Sequence, residues 1–375
     1  MRVAIVGGGI GGLAAALALQ APGREVVLHE QAPALADVGA GVQLSPNAVR
    51  ALSALGLADT LRPLAVAPAA IELRRGHDDR LLIRSPLNPP GGEAPYWHAR
   101  RSDLQRVLAD AVRARGAGTL RLGERVSAEE IDADLVIGAD GVRSAVRAGL
   151  LGEAAPRYTG ALAWRGTVPL AALTASAHPA VAAVRLGGGR HFVSYRVGGD
   201  AVNFVGVVRR GDPADESWNQ PGEPAALARD FADWPAPVQE LIAACEAPRR
   251  WALLDRDPAP RWFGDRTVLL GDAAHPVPPH LAQGAALALE DAVVLGRALA
   301  EAPLAEALAR YEAARVGRST RVLAASRRQG RLLQLGGVPG AVSHAALGVA
   351  GRVAPEAPTR SLGWLYGYDA ATARI

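Results

Sequence analysis

The stretch Arg2-Val-Ala-Ile-Val-Gly-Gly-Gly-Ile-Gly-Gly12 places three spaced glycines between a short apolar run and a helical pattern that continues to Gln20. Gly7, Gly9 and Gly12 have the G-x-G-x-x-G spacing, with the strand before and the helix after that this motif requires. The first glycine allows a tight turn, the second lets a pyrophosphate approach the backbone, and the third lets helix and strand pack closely. The stretch therefore predicts a Rossmann-like unit that binds a dinucleotide.

An acidic residue follows at the distance expected for a ribose contact. The next strand, Glu25 to His29, ends at Glu30. A carboxylate about 20 residues beyond the glycines accepts hydrogen bonds from the ribose 2′-hydroxyl, and its charge disfavours a 2′-phosphate. The dinucleotide held by this motif is accordingly NAD or FAD.

A second distinctive stretch runs from Val268 to Ala285 and combines a strand, an acid, a stiff loop and a helix start. Asp272 lies at the carboxyl end of the apolar run, and three prolines exclude helix from the loop that follows. A helix with apolar residues at helical spacing is predicted to begin at Gln283-Gly284. Because a helix N-terminus offers free N–H groups and about half a positive charge, the stretch predicts a contact with an electron-rich part of a cofactor.

Length and composition limit the classes of protein. A chain of 375 residues can bury a large core and predicts two domains. Its 49% apolar and 21% charged residues are typical of a soluble globular protein, and no run approaches the about 18 apolar residues of a membrane span. Residues 1–6 already form a strand pattern, which leaves no room for a signal peptide. The single cysteine, Cys245, excludes an intrachain disulfide and a Cys-rich metal site, so we expect a cytoplasmic protein without a metal.

All 41 basic residues are arginines, and the net charge is +4. A chain without lysine cannot use a P-loop lysine, a Schiff base or a lysine general base. The arginines are spread along the chain without a dense run, so we expect no binding to nucleic acid.

The pattern changes after residue 157. Residues 158–261 contain alternating strand candidates separated by glycine turns, which predict an antiparallel sheet. Residues 63–95 are proline-rich and irregular, with one strand candidate at Ala70 to Arg74. The prediction is an α/β fold with three parts: a discontinuous Rossmann-like domain at 1–157 and 262–330, an inserted antiparallel β-sheet domain at 158–261 to which part of 63–95 can belong, and a helical C-terminal region at 331–375.

Taken together, these motifs resemble those of the single-component FAD-dependent aromatic hydroxylases, the family of p-hydroxybenzoate hydroxylase. The glycine motif with Glu30, the Asp134–Ser144 stretch and the Gly271–Asp291 stretch are similar to its three flavin motifs. The resemblance is strongest to the branch of salicylate hydroxylase, 3-hydroxybenzoate 6-hydroxylase and 6-hydroxynicotinate 3-monooxygenase. It spans residues 2 to about 320, and further matches lie at Gly39–Asn47, Arg101–Leu104, Ala163–Gly166 and Ala282–Ala285.

The resemblance implies an FAD-binding domain that holds FAD tightly but without a covalent bond, and a β-sheet domain that binds the substrate. The resemblance places Gly9 to Gly12 at the pyrophosphate, Glu30 at the adenosine ribose, and Arg101 and Gln43 near the pyrophosphate and the ring end. It places Asp272 at a ribityl-side or pyrophosphate-side hydroxyl, and the N–H groups of Gly284 and Ala285 at the flavin N1–C2=O edge. The family also uses Asp140 for FAD and NAD(P)H, although a turn-stabilising role fits that residue equally well. Near Val126, where the family contacts adenine, this chain lacks the usual β-hairpin between residues 123 and 134.

The implied reaction is hydride transfer from NADH or NADPH to FAD, followed by O₂ addition to give a C4a-hydroperoxyflavin that attacks an electron-rich ring. The expected partners are a small hydroxylated aromatic or heteroaromatic acid, O₂ and a transiently bound nicotinamide dinucleotide. A tailoring hydroxylase of a larger natural-product scaffold and a non-catalytic flavin-fold binding protein stay open as alternatives. The sequence is equally compatible with a monomer and a homodimer.

Three side chains are candidates for the chemistry at the ring. An electrophilic attack is faster on a phenolate than on a phenol, and His191 is the candidate base because histidine titrates near neutral pH. Tyr195 lies four residues further, on the same strand face, so the two could flank a small ring. His280 replaces an aromatic residue of the resembling branch, and either binds an anionic substrate and relays protons or merely fills the space.

Overall fold

The chain forms two β-sheets, a two-stranded ribbon and a set of helices in a computed structural model, which describes residues 1–35, 41–87, 94–116, 120–152, 155–211 and 220–375. The strands are β1 (Arg2–Val6), β2 (Glu25–Glu30), β3 (Gly41–Leu44), β4 (Ala70–Arg75), β5 (Leu81–Pro86), β6 (Trp97–Arg100), β7 (Leu120–Leu122), β8 (Leu135–Gly138), β9 (Arg157–Pro169), β10 (Ala182–Gly187), β11 (Arg190–Val197), β12 (Ala201–Arg209), β13 (Gln220–Pro221), β14 (Arg249–Asp255) and β15 (Thr267–Leu269). The α-helices are α1 (Ile10–Ala18), α2 (Pro46–Ala54), α3 (Ala58–Leu61), α4 (Arg101–Ala114), α5 (Ala145–Leu151), α6 (Pro224–Asp230), α7 (Ala236–Ala243), α8 (Gly284–Glu301), α9 (Leu304–Leu333), α10 (Gly337–Val353), α11 (Ala357–Ser361) and α12 (Gly363–Tyr366).

The first sheet confirms the predicted Rossmann-like unit. Its strands lie in the order β15-β8-β1-β2-β7, and all neighbours are parallel. Gly7 turns the chain with a φ of +110°. A Cβ on Gly12 would lie 1.9 Å from the Gly7 carbonyl oxygen, so only glycine lets α1 pack this closely. The tight turn and the close packing that the glycine spacing predicts are both present.

The second sheet is mixed. Its order is β13-β14-β9-β12-β11-β10-β4-β5, and neighbours are antiparallel, as predicted, except for the parallel pair of β4 and β10. Only the first of the two strands from residues 70–86 was predicted. The other, β5, ends in Pro86, which is tolerated because β5 is an edge strand. The boundaries of the predicted domains stay a prediction.

One face of this sheet carries an aromatic core. Phe192 of β11 stacks on Phe204 of β12, with ring centroids 5.2 Å apart, and both pack with Trp164 of β9. Side chains from α6 and α7 cover these rings, including Leu227 and Leu241. This half of the sheet is therefore anchored by apolar burial.

The opposite face carries polar side chains. Successive residues of a strand point to opposite faces, so the residues next to the aromatic ones face the other way. The strand pairings align Tyr195 with Asn203, His191 with Val207 and Arg165 with Val205. We call this face, with Arg165, His191, Tyr195 and Asn203, the site face.

A buried ion cluster joins α8 to α9. The Arg315 side chain is fully buried, and it pairs with Asp291 at 2.6 Å and with Glu290 at 2.8 Å. Arg318 contacts Glu290 at 2.7 Å, and His275 lies 2.6 Å from Asp291, so both side chains belong to the same cluster. Burial raises the pKa of Asp291, but His275 and Arg315 lower it to about 2, so this carboxylate stays ionised.

The C-terminal region is helical, as predicted. Helix α9 continues to Leu333, and α10 to α12 follow it. Within the described parts of the chain, no single helix is long and apolar enough to cross a membrane. Helices α9 and α10 reach that length and composition only when taken together, and they are bent by 105° where they meet.

We expect Arg315→Met to lower the free energy of unfolding by about 3–5 kcal/mol, because it leaves a buried carboxylate without its counter-charge. Arg310→Met on the same helix is the matched control, since Arg310 pairs with Glu306 at the surface. That pair contributes about 0.5 kcal/mol or less. Urea unfolding of both variants in FAD-saturated buffer measures the difference, and equal losses would contradict the role given to Arg315.

Candidate active site

The glycine loop leaves the start of α1 open. Gly9 is the N-cap of α1, no side chain caps this helix, and its first turn carries no acid. A Cβ built on Gly9 would meet nothing within 4 Å. The first backbone N–H groups of α1 are therefore available to an anionic group such as a pyrophosphate.

Glu30 is held in place at the end of β2. Its Oε2 accepts a hydrogen bond from the Gly8 N–H at 2.7 Å, and its Oε1 accepts one from the Ala32 N–H at 2.8 Å. A carboxylate has about four acceptor positions, so two remain for the hydroxyls of a ribose. The carboxylate is thus fixed beside the glycine loop with acceptor capacity left over.

The start of α8 is open in the same way. Its N-cap Gln283 makes no side-chain cap, because its amide donates to Ser45 Oγ at 2.9 Å and its carbonyl accepts from Asn47 at 3.0 Å. The first turn, which begins with Gly284 and Ala285, carries no acid. Two uncapped helix N-termini fit the two electron-rich parts of a flavin dinucleotide, its pyrophosphate and the N1–C2=O edge of its ring.

Three further predicted cofactor residues come from different parts of the chain. Arg101 begins α4, and it lies near enough to Asp272 for each charge to shift the pKa of the other. Burial is the larger influence and opposes both charges: it lowers the pKa of Arg101 and raises that of Asp272. Gln43 of β3 accepts a hydrogen bond from the Tyr96 hydroxyl at 2.7 Å.

Two residues that the resemblance implies for cofactor binding are Val126 and Asp140. Val126 lies in an irregular segment after β7, which ends at Leu122. Between β7 and β8, within the described range 120–152, no further strand is present, in line with the missing hairpin. Asp140 accepts hydrogen bonds from Ser144 and from the Ala145 N–H, so the structure gives it a helix-capping role at α5. Gly39 and Ala40 of the Gly39–Asn47 match lie outside the described residues.

The two histidines predicted to act in catalysis, His191 and His280, lie next to each other. The rings of His191 and His280 are 5.4 Å apart, and His280 lies in the turn just before α8. This contact connects the site face to the uncapped N-terminus of α8. Burial, helped by His280, lowers the pKa of His191 to about 3, and burial lowers that of His280 to about 4. The expectation that His191 titrates near neutral pH is therefore wrong, because its surroundings cannot solvate the charged ring.

Tyr195 lies on the same strand face as His191, as predicted, but contacts different residues. Its ring is 4.6 Å from that of His98. Arg165 influences the Tyr195 hydroxyl by its charge, although burial is the larger effect and raises the pKa of Tyr195. Each of the two predicted catalytic residues on β11 therefore has its own set of neighbours.

Arg165 is a half-buried cation on the site face. It lies inside β9, its Nε is buried without a hydrogen-bond partner among the described residues, and its guanidinium stacks 4.5 Å above the Trp251 ring. None of the acidic residues that the structure describes pairs with it. A cation on this face whose Nε is buried and which has no counter-ion among the described residues is suited to an anionic ligand.

Sequence reasoning missed His98 and Asn203. His98 is fully buried on β6, both of its ring nitrogens lack partners among the described residues, and burial lowers its pKa to about 3. The Asn203 Nδ2 is also buried and unpartnered. A polar residue inside the short strand before Arg101 was the available signal for His98. Within the described residues, no group of three His, Cys, Asp or Glu side chains is placed to hold a metal ion.

Comparison with known proteins decides the family. The chain matches the family described as FAD binding domain over residues 1–130 and 115–326. The chain belongs to this family. It is an FAD-dependent aromatic hydroxylase, as the motifs predicted, and FAD is its cofactor.

Similar proteins place it in the predicted branch. The enzyme is 38% identical over 392 residues to the 3-amino-4-hydroxybenzoate 2-monooxygenase PtmB3 of Streptomyces platensis, covering 99% of this chain and 96% of that protein. It is 35% identical to the 6-hydroxynicotinate 3-monooxygenase of Bordetella bronchiseptica, covering 86% of this chain and 89% of that protein. A solved salicylate hydroxylase substrate complex superimposes with a TM-score of 0.79 at 28% identity, covering 99% of this chain and 96% of that chain. Because these relatives are monooxygenases and hydroxylases, the alternative that this chain is a non-catalytic flavin-fold binding protein is wrong.

We expect Gly9→Ala to abolish tight FAD binding while the protein still folds, since the added methyl group would fill space that the open helix start reserves for the pyrophosphate. Gly317→Ala is the matched control, because a Cβ there also meets nothing within 4 Å, on a helix away from the glycine loop. Flavin absorbance of the purified variants measures the effect. A Gly9→Ala protein that stays fully flavin-loaded would refute this use of the open helix start.

Proposed function

We propose that the enzyme hydroxylates a small aromatic or heteroaromatic acid that already carries a ring hydroxyl, with NADH or NADPH and O₂ as co-substrates. The observation that carries the proposal is Arg165, a cation on the site face with a buried, unpartnered Nε and no acidic partner among the described residues. A buried charge is costly unless a counter-charge is supplied, and a substrate carboxylate would supply it. The relatives named for aminohydroxybenzoate and hydroxynicotinate also point to substrates that combine an acid with a ring hydroxyl.

We assign FAD to Gly7, Gly9 and Gly12, to Glu30, Arg101 and Asp272, and to the helix start at Gly284 and Ala285, with Gln43 near the ring. Bound FAD supplies the redox chemistry, accepting a hydride from the nicotinamide and activating O₂. The helix start offers positive partial charge to the flavin edge that becomes negative on reduction. We also assign an adenine contact to Val126, although the hairpin that accompanies this residue in the family is missing.

The chain's own part in the chemistry is to orient the ring and to move one proton. Arg165 would fix the carboxylate with charge-assisted hydrogen bonds. Burial disfavours the His191 imidazolium, so His191 would accept the phenol proton only while the phenolate that forms beside it supplies a counter-charge. Such a partial proton transfer would raise the electron density of the ring as the ring is hydroxylated. Tyr195 lies about 13 Å further along the strand, so it would contact the other end of the substrate.

The function is tested by the rate of NADH oxidation of the FAD-loaded enzyme with a panel of hydroxybenzoates and hydroxypyridine carboxylates. We expect strong stimulation by at least one acid, with formation of its hydroxylated product. The corresponding amides, which lack the charge, should stimulate weakly. Slow oxidation that no panel member stimulates would refute the small-acid substrate and favour a larger natural-product scaffold.

Arg165→Met should raise the KM of the best acid by about 10-fold to 100-fold, since a hydrogen bond to a charged group contributes about 1.5–3 kcal/mol. The KM of the matched amide should change little. An equal change for acid and amide would show that Arg165 acts through packing on Trp251 and not through the carboxylate.

His191→Ala should retain FAD but slow hydroxylation by about 10²-fold to 10⁴-fold, the usual contribution of a positioned base. The loss should be greatest below the pKa of the substrate phenol, because above it the phenol ionises without help. Single-turnover rates across pH measure this, and an unchanged pH profile in the variant would rule His191 out as the base.

His280→Phe separates the two roles left open for His280. The variant should lose hydroxylation activity if His280 relays protons, and it should keep the activity if His280 only fills space.

We also propose a cytoplasmic location. Cys245, the only cysteine, is buried and unpaired, which suits a reducing compartment. Size measurement in solution would distinguish the monomer from the homodimer.

A further inference from the structure

Near the Tyr195 ring lie three buried polar atoms that have no hydrogen-bond partner among the described residues. They are the two ring nitrogens of His98 and the Nδ2 of Asn203. His98 lies against the ring at 4.6 Å, and Asn203 lies directly opposite Tyr195 on the neighbouring strand. Nearly all buried polar groups in proteins are hydrogen-bonded, so three orphan atoms around one side chain require an explanation.

The donor and acceptor roles of these atoms follow from their surroundings. The Asn203 Oδ1 accepts a hydrogen bond from the Gly41 N–H at 2.6 Å and one from Thr167 at 3.3 Å. Because the Gly41 N–H can only donate, the amide of Asn203 cannot be flipped, and Nδ2 is a free donor. His98 is neutral, so its ring offers one donor and one acceptor.

This polar cluster is distinct from the pair formed by His191 and His280. His191 and Tyr195 are four residues apart on β11, which corresponds to about 13 Å. Along the strand direction Arg165 is level with Val193, midway between them, but it lies two strands away on β9, because Val205 of β12 pairs with both residues. A substrate held by His191 and Arg165 would therefore direct its far edge towards His98 and Asn203.

We propose that His98 and Asn203 form a second polar subsite, which binds an additional ring hydroxyl of the substrate. The proposal rests on the proposed function, since it adds a third contact to an acid already held by Arg165 and His191. It selects dihydroxylated acids over monohydroxylated ones.

The chemistry of the subsite favours oxygen over nitrogen. The Asn203 Nδ2 needs an acceptor, and His98 can then accept or donate. A phenolic hydroxyl offers lone pairs and a proton together. The lone pair of an aromatic amine is delocalised into the ring, so an amine can donate to His98 but satisfies Asn203 poorly.

The orphan atoms explain why such a group would be selected strongly. Leaving a buried polar group without a hydrogen bond costs free energy, and this cost is recovered only by a ligand that pairs with the group. Sites built to hydrogen-bond a substrate group discriminate strongly against analogues that lack it. We therefore expect the wild-type enzyme to prefer the dihydroxylated acid at least about 10-fold.

The test compares kcat/KM for three acids that share carboxylate and first hydroxyl and differ in one ring position, which carries hydrogen, hydroxyl or amino. The FAD-loaded full-length enzyme is used, and Kd is measured separately by quenching of flavin fluorescence without NADH. His98→Phe keeps a ring of similar size, and Asn203→Asp keeps the acceptor for Gly41 but removes the donor. His344→Phe, a histidine on α10, is the matched control.

We expect the hydroxyl-to-hydrogen ratio of kcat/KM to fall towards one in His98→Phe and in Asn203→Asp, and to stay unchanged in His344→Phe. A ratio that survives in both site variants, or a wild-type preference for the amine over the hydroxyl, would overturn the proposal. The Kd ratios separate it from the proposed function: a hydroxyl preference in binding that His98→Phe removes supports the subsite even if no acid is turned over.

Discussion

The buried pairing of Arg315 with Asp291 and Glu290 fixes the position of α8, and the site depends on that position. A fully buried guanidinium between two fully buried carboxylates tolerates little displacement, since each charge is stable only beside its partners. Asp291 also accepts a hydrogen bond from the Gly271 N–H at 2.9 Å, at the start of the loop that carries Asp272. One ion cluster therefore fixes both the loop that carries Asp272 and the open helix start that follows it.

The second constraint is the alternation of the large sheet. Its aromatic face packs under α6 and α7, which leaves the opposite face free to carry Arg165, His191 and Tyr195 without loss of the core. Burial keeps His191 on that face neutral, so a charge on its ring would need a counter-charge beside it. The same low polarity strengthens the attraction of Arg165 for a carboxylate.

Much of the fold could be predicted because the decisive residues are adjacent in sequence. The glycine motif, the strand after it and the helix start at Gly284 are local patterns, and each was found where it was expected. Strand β5 escaped prediction because its only support is pairing with β4, and its closing proline argues against a strand unless the strand lies at an edge. The low pKa of His191 could not be predicted either, because the desolvation of its ring depends on residues that only the folded structure packs around it.

The sequence by itself determined the nucleotide-binding architecture, the family and the identity of the residues available for chemistry, because backbone turns, helix starts and strand alternation are set by neighbours along the chain. Only the tertiary structure decided which of those residues meet. It brought His280 to His191, stacked Arg165 on Trp251, and placed His98 and Asn203 around Tyr195. The physical reason is that burial, hydrogen-bond satisfaction and pKa depend on residues far apart in sequence that packing brings into contact.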